Sequence, residues 1–143
     1  MITLKDLKIA INSLISSNFT AEVTSRDIRE GFKRPSFFVE LDNIKKSPAG
    51  EDQINRELTV RIYYFPSSRY QYNVEILEVQ EKLEEVFDTK LKVQDRYFNI
   101  DEVESIVTDG VLQFYFDIRY EEGREVSDAE LAELMENLYI KEV

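Results

Sequence analysis

The sequence predicts an α+β fold, a mixed, largely antiparallel sheet with an N-terminal, a central and a C-terminal helix packed on it. Three observations carry that expectation. Apolar residues recur three and four apart near both ends and in the middle of the chain, as on one side of a helix. Between those segments lie runs that alternate apolar and polar with period two, as in half-buried strands. Asp109-Gly110 then separates two such runs, and both central residues of a type I′ hairpin turn need positive φ.

Taken in order, Thr3 can cap a helix whose stripe is Leu4, Leu7, Ile11, Leu14 and Ile15, and Ser16-Ser17-Asn18 ends it. A short strand is expected from Phe19 to Thr24, and a turn from Gly31 to Pro35. Ser36 to Leu41 reads as a strand with Phe37, Val39 and Leu41 on one face. Residues 42–55 are polar, with Pro48 and Gly50 at the centre, and are expected to form a long flexible loop. Glu57 to Phe65 is the clearest strand, with Leu58, Val60, Ile62 and Tyr64 facing one way and Thr59, Arg61, Tyr63 and Phe65 the other. A helix follows from about Tyr70 to Phe87, with Ile76, Val79, Leu83, Val86 and Phe87 as its stripe. Lys90 to Val93 and Arg96 to Ile100 are short strands.

The Asp-Gly turn sets the next register, pairing Val107 with Leu112, Ser105 with Phe114 and Val103 with Phe116, all on one face. Ser127 with Glu130 forms a capping box for a last helix carrying Leu131, Leu134, Met135 and Leu138, so 127–143 is expected to be helix and tail. The whole chain, 1–143, reads as one domain. Phe38, Tyr63, Phe65 and Tyr115 point opposite to the main apolar set, so either helices cover both sheet faces or another subunit buries part of the second.

Composition removes most catalytic classes. The 143 residues include no His, Cys or Trp. There is therefore no disulfide, thiolate nucleophile, imidazole base, Ser-His-Asp triad or Cys- or His-based metal site. Four glycines never cluster, so no phosphate-cradling loop exists. The adjacent acids Glu84-Glu85, Asp101-Glu102 and Glu121-Glu122 are read as solvated surface rather than acid–base pairs. No cofactor and no metal are expected, and the chain is not expected to be an enzyme.

The net charge is −11, and most of it lies on the central helix and the C-terminal segment. Direct, tight nucleic-acid binding is disfavoured because it requires clustered cations. No apolar run is long enough to span a membrane, and Ile2-Thr3-Leu4-Lys5-Asp6 after Met1 is not a secretory leader, so synthesis in the cytosol is expected. Gly31-Phe32-Lys33-Arg34-Pro35 is the one basic and aromatic cluster.

Three blocks carry a resemblance. The N-terminal helix followed by Glu30-Gly31-Phe32-Lys33-Arg34-Pro35-Ser36-Phe37-Phe38-Val39 resembles the tail terminator family of contractile-tailed, PBSX-like prophages and phage-tail bacteriocins. So do Arg56-Glu57-Leu58-Thr59-Val60-Arg61-Ile62-Tyr63-Tyr64-Phe65 and Asp109-Gly110-Val111-Leu112-Gln113-Phe114-Tyr115-Phe116. The likeness runs across about residues 1–120 and departs at Ser36, where a cysteine often stands.

The resemblance implies a structural subunit of the virion tail that assembles in the bacterial host cytoplasm. It would form a ring with copies of itself, usually a hexamer, that caps the tail tube and stops its polymerisation. Its implied partners are the tube protein and the sheath and neck or connector proteins, with DNA only passing through the lumen. A neck or head–tail joining protein of the same particle is the alternative. The candidate subunit or tube interface is Lys33, Arg34, Phe38, Arg61, Tyr63, Phe65 and Tyr115, with Arg61 and Lys33-Arg34 expected to meet acidic helices of a neighbour. In the expected loop, Lys45, Lys46, Glu51 and Asp52 are the candidate contacts to tube or neck.

Overall fold

The computed structural model describes residues 2–24, 33–68 and 71–123. Its elements, in chain order, are α1 (Leu4–Asn18), β1 (Glu22–Thr24), β2 (Ser36–Pro48), β3 (Gln53–Phe65), α2 (Asn73–Val86), β4 (Lys90–Val93), β5 (Arg96–Asn99), β6 (Val103–Thr108) and β7 (Val111–Gly123). Five strands form one sheet in the order β1-β2-β3-β7-β6, and β4 with β5 forms a separate hairpin. Among the described residues only the β1–β2 pair is parallel.

Two expectations need correction. The described residues contain two helices, not three, and are 50% strand against 26% helix. The reason is the length of β2, β3 and β7, each 13 residues. The expected C-terminal helix, within 127–143, lies outside the described residues. Nor is 42–55 a long loop: β2 runs on to Pro48, β3 begins at Gln53, and only 49–52 turn. Lys45 to Pro48 pair with Glu57 to Ile54, and β7 supports β3 along the same stretch, from Glu57–Arg119 to Gln53–Gly123. Backbone pairing on three adjacent strands holds this polar arm together without a buried side-chain row on each face.

The local chemistry explains the elements. The Thr3 hydroxyl accepts from the Asp6 amide, and the Asp6 carboxylate accepts from the Thr3 amide, a reciprocal cap on α1. Leu7, Ile11 and Ile15 are fully buried on its inner side. In α2 the buried residues are Ile76 and Leu83, with Phe87 just past its end. These side chains join Phe37, Val39, Leu58, Val60, Ile62, Phe114, Phe116 and the inward residues of β4 and β5 in one apolar core. Both helices therefore lie on the same side of the sheet.

The β6–β7 register is the one the Asp-Gly turn predicts, with Val107 opposite Leu112, Ser105 opposite Phe114 and Val103 opposite Phe116. Asp109 and Gly110 have φ of 52° and 75°. A Cβ on Gly110 would lie 3.2 Å from the Tyr72 ring. Gly110→Ala should therefore destabilise the protein by about 1–2 kcal/mol, the cost of a left-handed conformation in a residue with a side chain, read as a shift in the urea midpoint.

Candidate interface site

Period two places one set of side chains on the core and the other on the far side of the sheet. That far side carries Phe38, Tyr63 and Tyr115, all half-buried. Phe38 and Tyr63 are cross-strand partners with ring centroids 6.0 Å apart. Arg61 stands opposite Tyr115, its guanidinium 5.1 Å from the ring centroid, which is cation–π distance.

Polar side chains tie this face together across four strands. From β3, Arg61 Nε donates to Asp42 Oδ2 of β2 at 2.9 Å. From β7, the Tyr115 hydroxyl donates to Glu104 Oε2 of β6 at 2.7 Å. Beside this chain, Thr59 Oγ1 donates to Asp117 Oδ1 at 2.6 Å, and Arg119 Nε to Glu57 Oε1 at 3.1 Å.

The Arg61 guanidinium and the Asn43 amide hold the Asp42 carboxyl below its ordinary range. Acceptance by Glu104 keeps the Tyr115 phenol protonated to higher pH than usual. An open polar concavity beside the network is lined in part by Asn99, Asp101, Glu102, Asp117 and Arg119. Among the described residues no three His, Cys, Asp or Glu side chains converge as a metal would require.

Of the candidate interface residues, Phe38, Arg61, Tyr63 and Tyr115 come together on this face. Arg34 and Phe65 meet elsewhere, at the end of β3: Arg34 Nη1 donates to the Pro66 carbonyl at 3.1 Å and its guanidinium lies 6.0 Å from the Phe65 ring centroid. Phe65 is buried. Lys33 is exposed ahead of β2. Lys45, Lys46, Glu51 and Asp52 are all exposed, at the far end of the arm.

Sequence reasoning missed Asp42 and Glu104. The hairpin register already implied Glu104, because pairing Val103 with Phe116 puts Glu104 opposite Tyr115. Asp42 carried no such signal: a bulge between Asp42 and Lys45, with Asn43 at φ 54°, breaks the alternation there.

No curated protein matches the chain significantly. A family model described as phage tail terminator protein matches residues 6–130, a span that takes in every strand, all of α2 and all but the first two residues of α1. The role of that family is structural, and its place is the virion tail. The match covers well over half of the 143 residues, and the chain belongs to the phage tail terminator family.

Proposed function

We propose that the protein closes with copies of itself into a ring, a hexamer, on the completed tail tube, ends tube growth there and offers its outer face to the neck. The observation that carries this reading beyond the family is a sheet face that neither described helix covers. Both described helices pack on the opposite side, yet Phe38, Tyr63 and Tyr115 are half-buried on this one, beside the Arg61–Asp42 ion pair and the Tyr115–Glu104 hydrogen bond. Aromatic side chains set among ordered polar groups are what protein interfaces select. A net charge of −11 suits a collar through which DNA slides, because carboxylates repel phosphates over the screening distance of about 8 Å at physiological salt. Termination then follows from shape: one ring face fits the last tube ring, and the other lacks the surface on which the next would build.

The test is electron microscopy of particles assembled without this chain. Tubes longer than the normal length are expected. Tubes of normal length that lack heads would instead assign the protein to head–tail joining, and normal particles would overturn both readings.

A further inference from the structure

The two outer edges of the five-stranded sheet are unlike. At one edge β1 pairs only with Ser36–Phe38, so among the described residues no strand lies along β2 from Val39 to Pro48. At the other, β6 pairs with β7, and among the described residues no strand lies on its outer side. Open edges template association, and proteins guard them with bulges, lysines and proline. The β2 edge has all three: the bulge at Asn43, the exposed Lys45 and Lys46, and Pro48. The β6 edge has none of them, and it leaves Ile106 and Val107 53% and 46% exposed.

The β6 edge and the far part of the β2 edge carry opposite charge, although over Val39 to Pro48 as a whole Glu40 and Asp42 balance Lys45 and Lys46. Residues 101–109 contain Asp101, Glu102, Glu104 and Asp109 and no cation. Residues 44–49 contain Lys45 and Lys46 and no carboxylate, and Ile44 there is 44% exposed. The 101–109 segment and the Lys45–Lys46 segment thus each repel their own kind and attract the other, the pattern by which charge selects one pairing and rejects the rest.

We infer that the outer edge of β2 around Ile44–Lys46 in one copy docks on the β6 edge of the next copy through its side chains, since the bulge and Pro48 guard this stretch against a backbone ladder. Lys45 and Lys46 lie against the acidic segment, and Ile44 lies against the exposed Ile106 and Val107. This rests on the ring reading above and names the surfaces that would close it. Because the two edges flank one sheet, every copy offers one of each, and the contact is head-to-tail, the kind that closes into rings. The pairing register sets β6 level with Ser36–Leu41, whereas the lysines lie further along β2. Successive sheets are therefore offset along the strands, and the strands tilt relative to the ring axis.

Two double variants test this, Lys45→Glu with Lys46→Glu, and Asp101→Lys with Glu102→Lys. All four positions are exposed, so circular dichroism and melting should match the unaltered protein. Each variant is mixed with tube protein and its ring content read by native mass and negative-stain imaging. Either alone should lose at least about tenfold in rings, since the first sets acid against acid at every contact and the second leaves 101–109 with no net charge to attract Lys45 and Lys46. An equimolar mixture of the two should regain them, because in an alternating ring the introduced glutamates face the introduced lysines at every second contact and the native lysines face the native acids at the others.

Rings from either variant alone at the level of the unaltered protein would overturn the edge pairing while leaving the ring reading intact. So would a mixture that stays unassembled, and loss of tube binding in that mixture would assign the edges to the tube protein. Failure of the unaltered protein to form rings on tubes would overturn the ring reading itself, and the pairing with it.

Discussion

Phe37→Ala is expected to lower the unfolding free energy by about 3–5 kcal/mol, the range for removing a fully buried phenylalanine. Phe37 has no exposed surface. Its ring centroid lies 4.8 Å from that of Phe19, which follows α1, and 4.8 Å from that of Tyr64 on β3. The Tyr64 hydroxyl in turn donates to Glu75 of α2 at 2.7 Å. One side chain therefore stands between the end of the first helix and the central strand of the sheet, and its neighbour Tyr64 carries the link on to the second helix. Truncation leaves a void beneath the Phe19 and Tyr64 rings, at the junction of α1 with the sheet. Against a typical total of about 5–15 kcal/mol, the loss leaves the domain marginal. Urea unfolding should show a lower midpoint at unchanged slope, and Phe37→Leu should cost less than about 1.5 kcal/mol. A cost below about 1 kcal/mol for the alanine variant would mean that the site collapses freely, contrary to this packing.

The second large effect concerns Glu75 and acid. Its carboxylate accepts from the Tyr64 hydroxyl, from the Ser67 hydroxyl at 2.9 Å and from the Ser67 amide at 3.1 Å. Burial pushes its pKa up, but those donors together outweigh burial and hold it below the ordinary 4.5. Its place in the first turn of α2 sets the negative charge at the positive end of the helix dipole. Because the folded pKa lies below the unfolded one, the stabilisation is present above the ordinary pKa and is lost as pH falls through the depressed folded value.

Glu75→Gln should destabilise the protein at pH 7 by about 1–2 kcal/mol, the lower part of the range for hydrogen bonds to a charged group because the site is partly solvated. The gap between the two proteins should shrink steadily once pH drops below the ordinary carboxyl range. Urea midpoints at several pH values check this, and a gap that stays constant down to the acid limit would refute the linkage. Tyr64, pushed strongly upward by burial and by the Glu75 carboxylate, stays neutral throughout this window.

How much of this was legible in the sequence differs by element. The β6–β7 register could be read residue by residue, because turn chemistry and apolar alternation act on the same few positions and agree. The inner sides of α1 and α2 were equally plain, since a stripe such as Leu7, Ile11 and Ile15 has no reading other than a buried helix face. The extension of β2 and β3 was not legible. From Lys45 to Asn55 most side chains on both faces are exposed, so alternation has nothing to report, and Pro48 and Gly50 imitate a loop.

The parallel pairing of β1 with β2 was hidden for another reason, because it depends on a contact across a connection rather than on a local pattern. At the candidate interface Phe38, Tyr63 and Tyr115 were legible from strand parity, whereas Phe65, read with them, is buried at the end of β3 beside Arg34. The partners of Arg61 were not legible: an arginine among aromatics looks like a group waiting for a neighbouring subunit, whereas here it is engaged by Asp42 of its own chain.

That engagement has a thermodynamic consequence for assembly. Long charged side chains usually surrender rotational freedom when a partner arrives, at about 0.5–1.5 kcal/mol each. Arg61, Tyr115 and Thr59 have already been immobilised by folding, through Asp42, Glu104 and Asp117. The entropic penalty of presenting that surface is thus met once, inside the monomer, and any body that docks there meets a template already set rather than one it must first freeze.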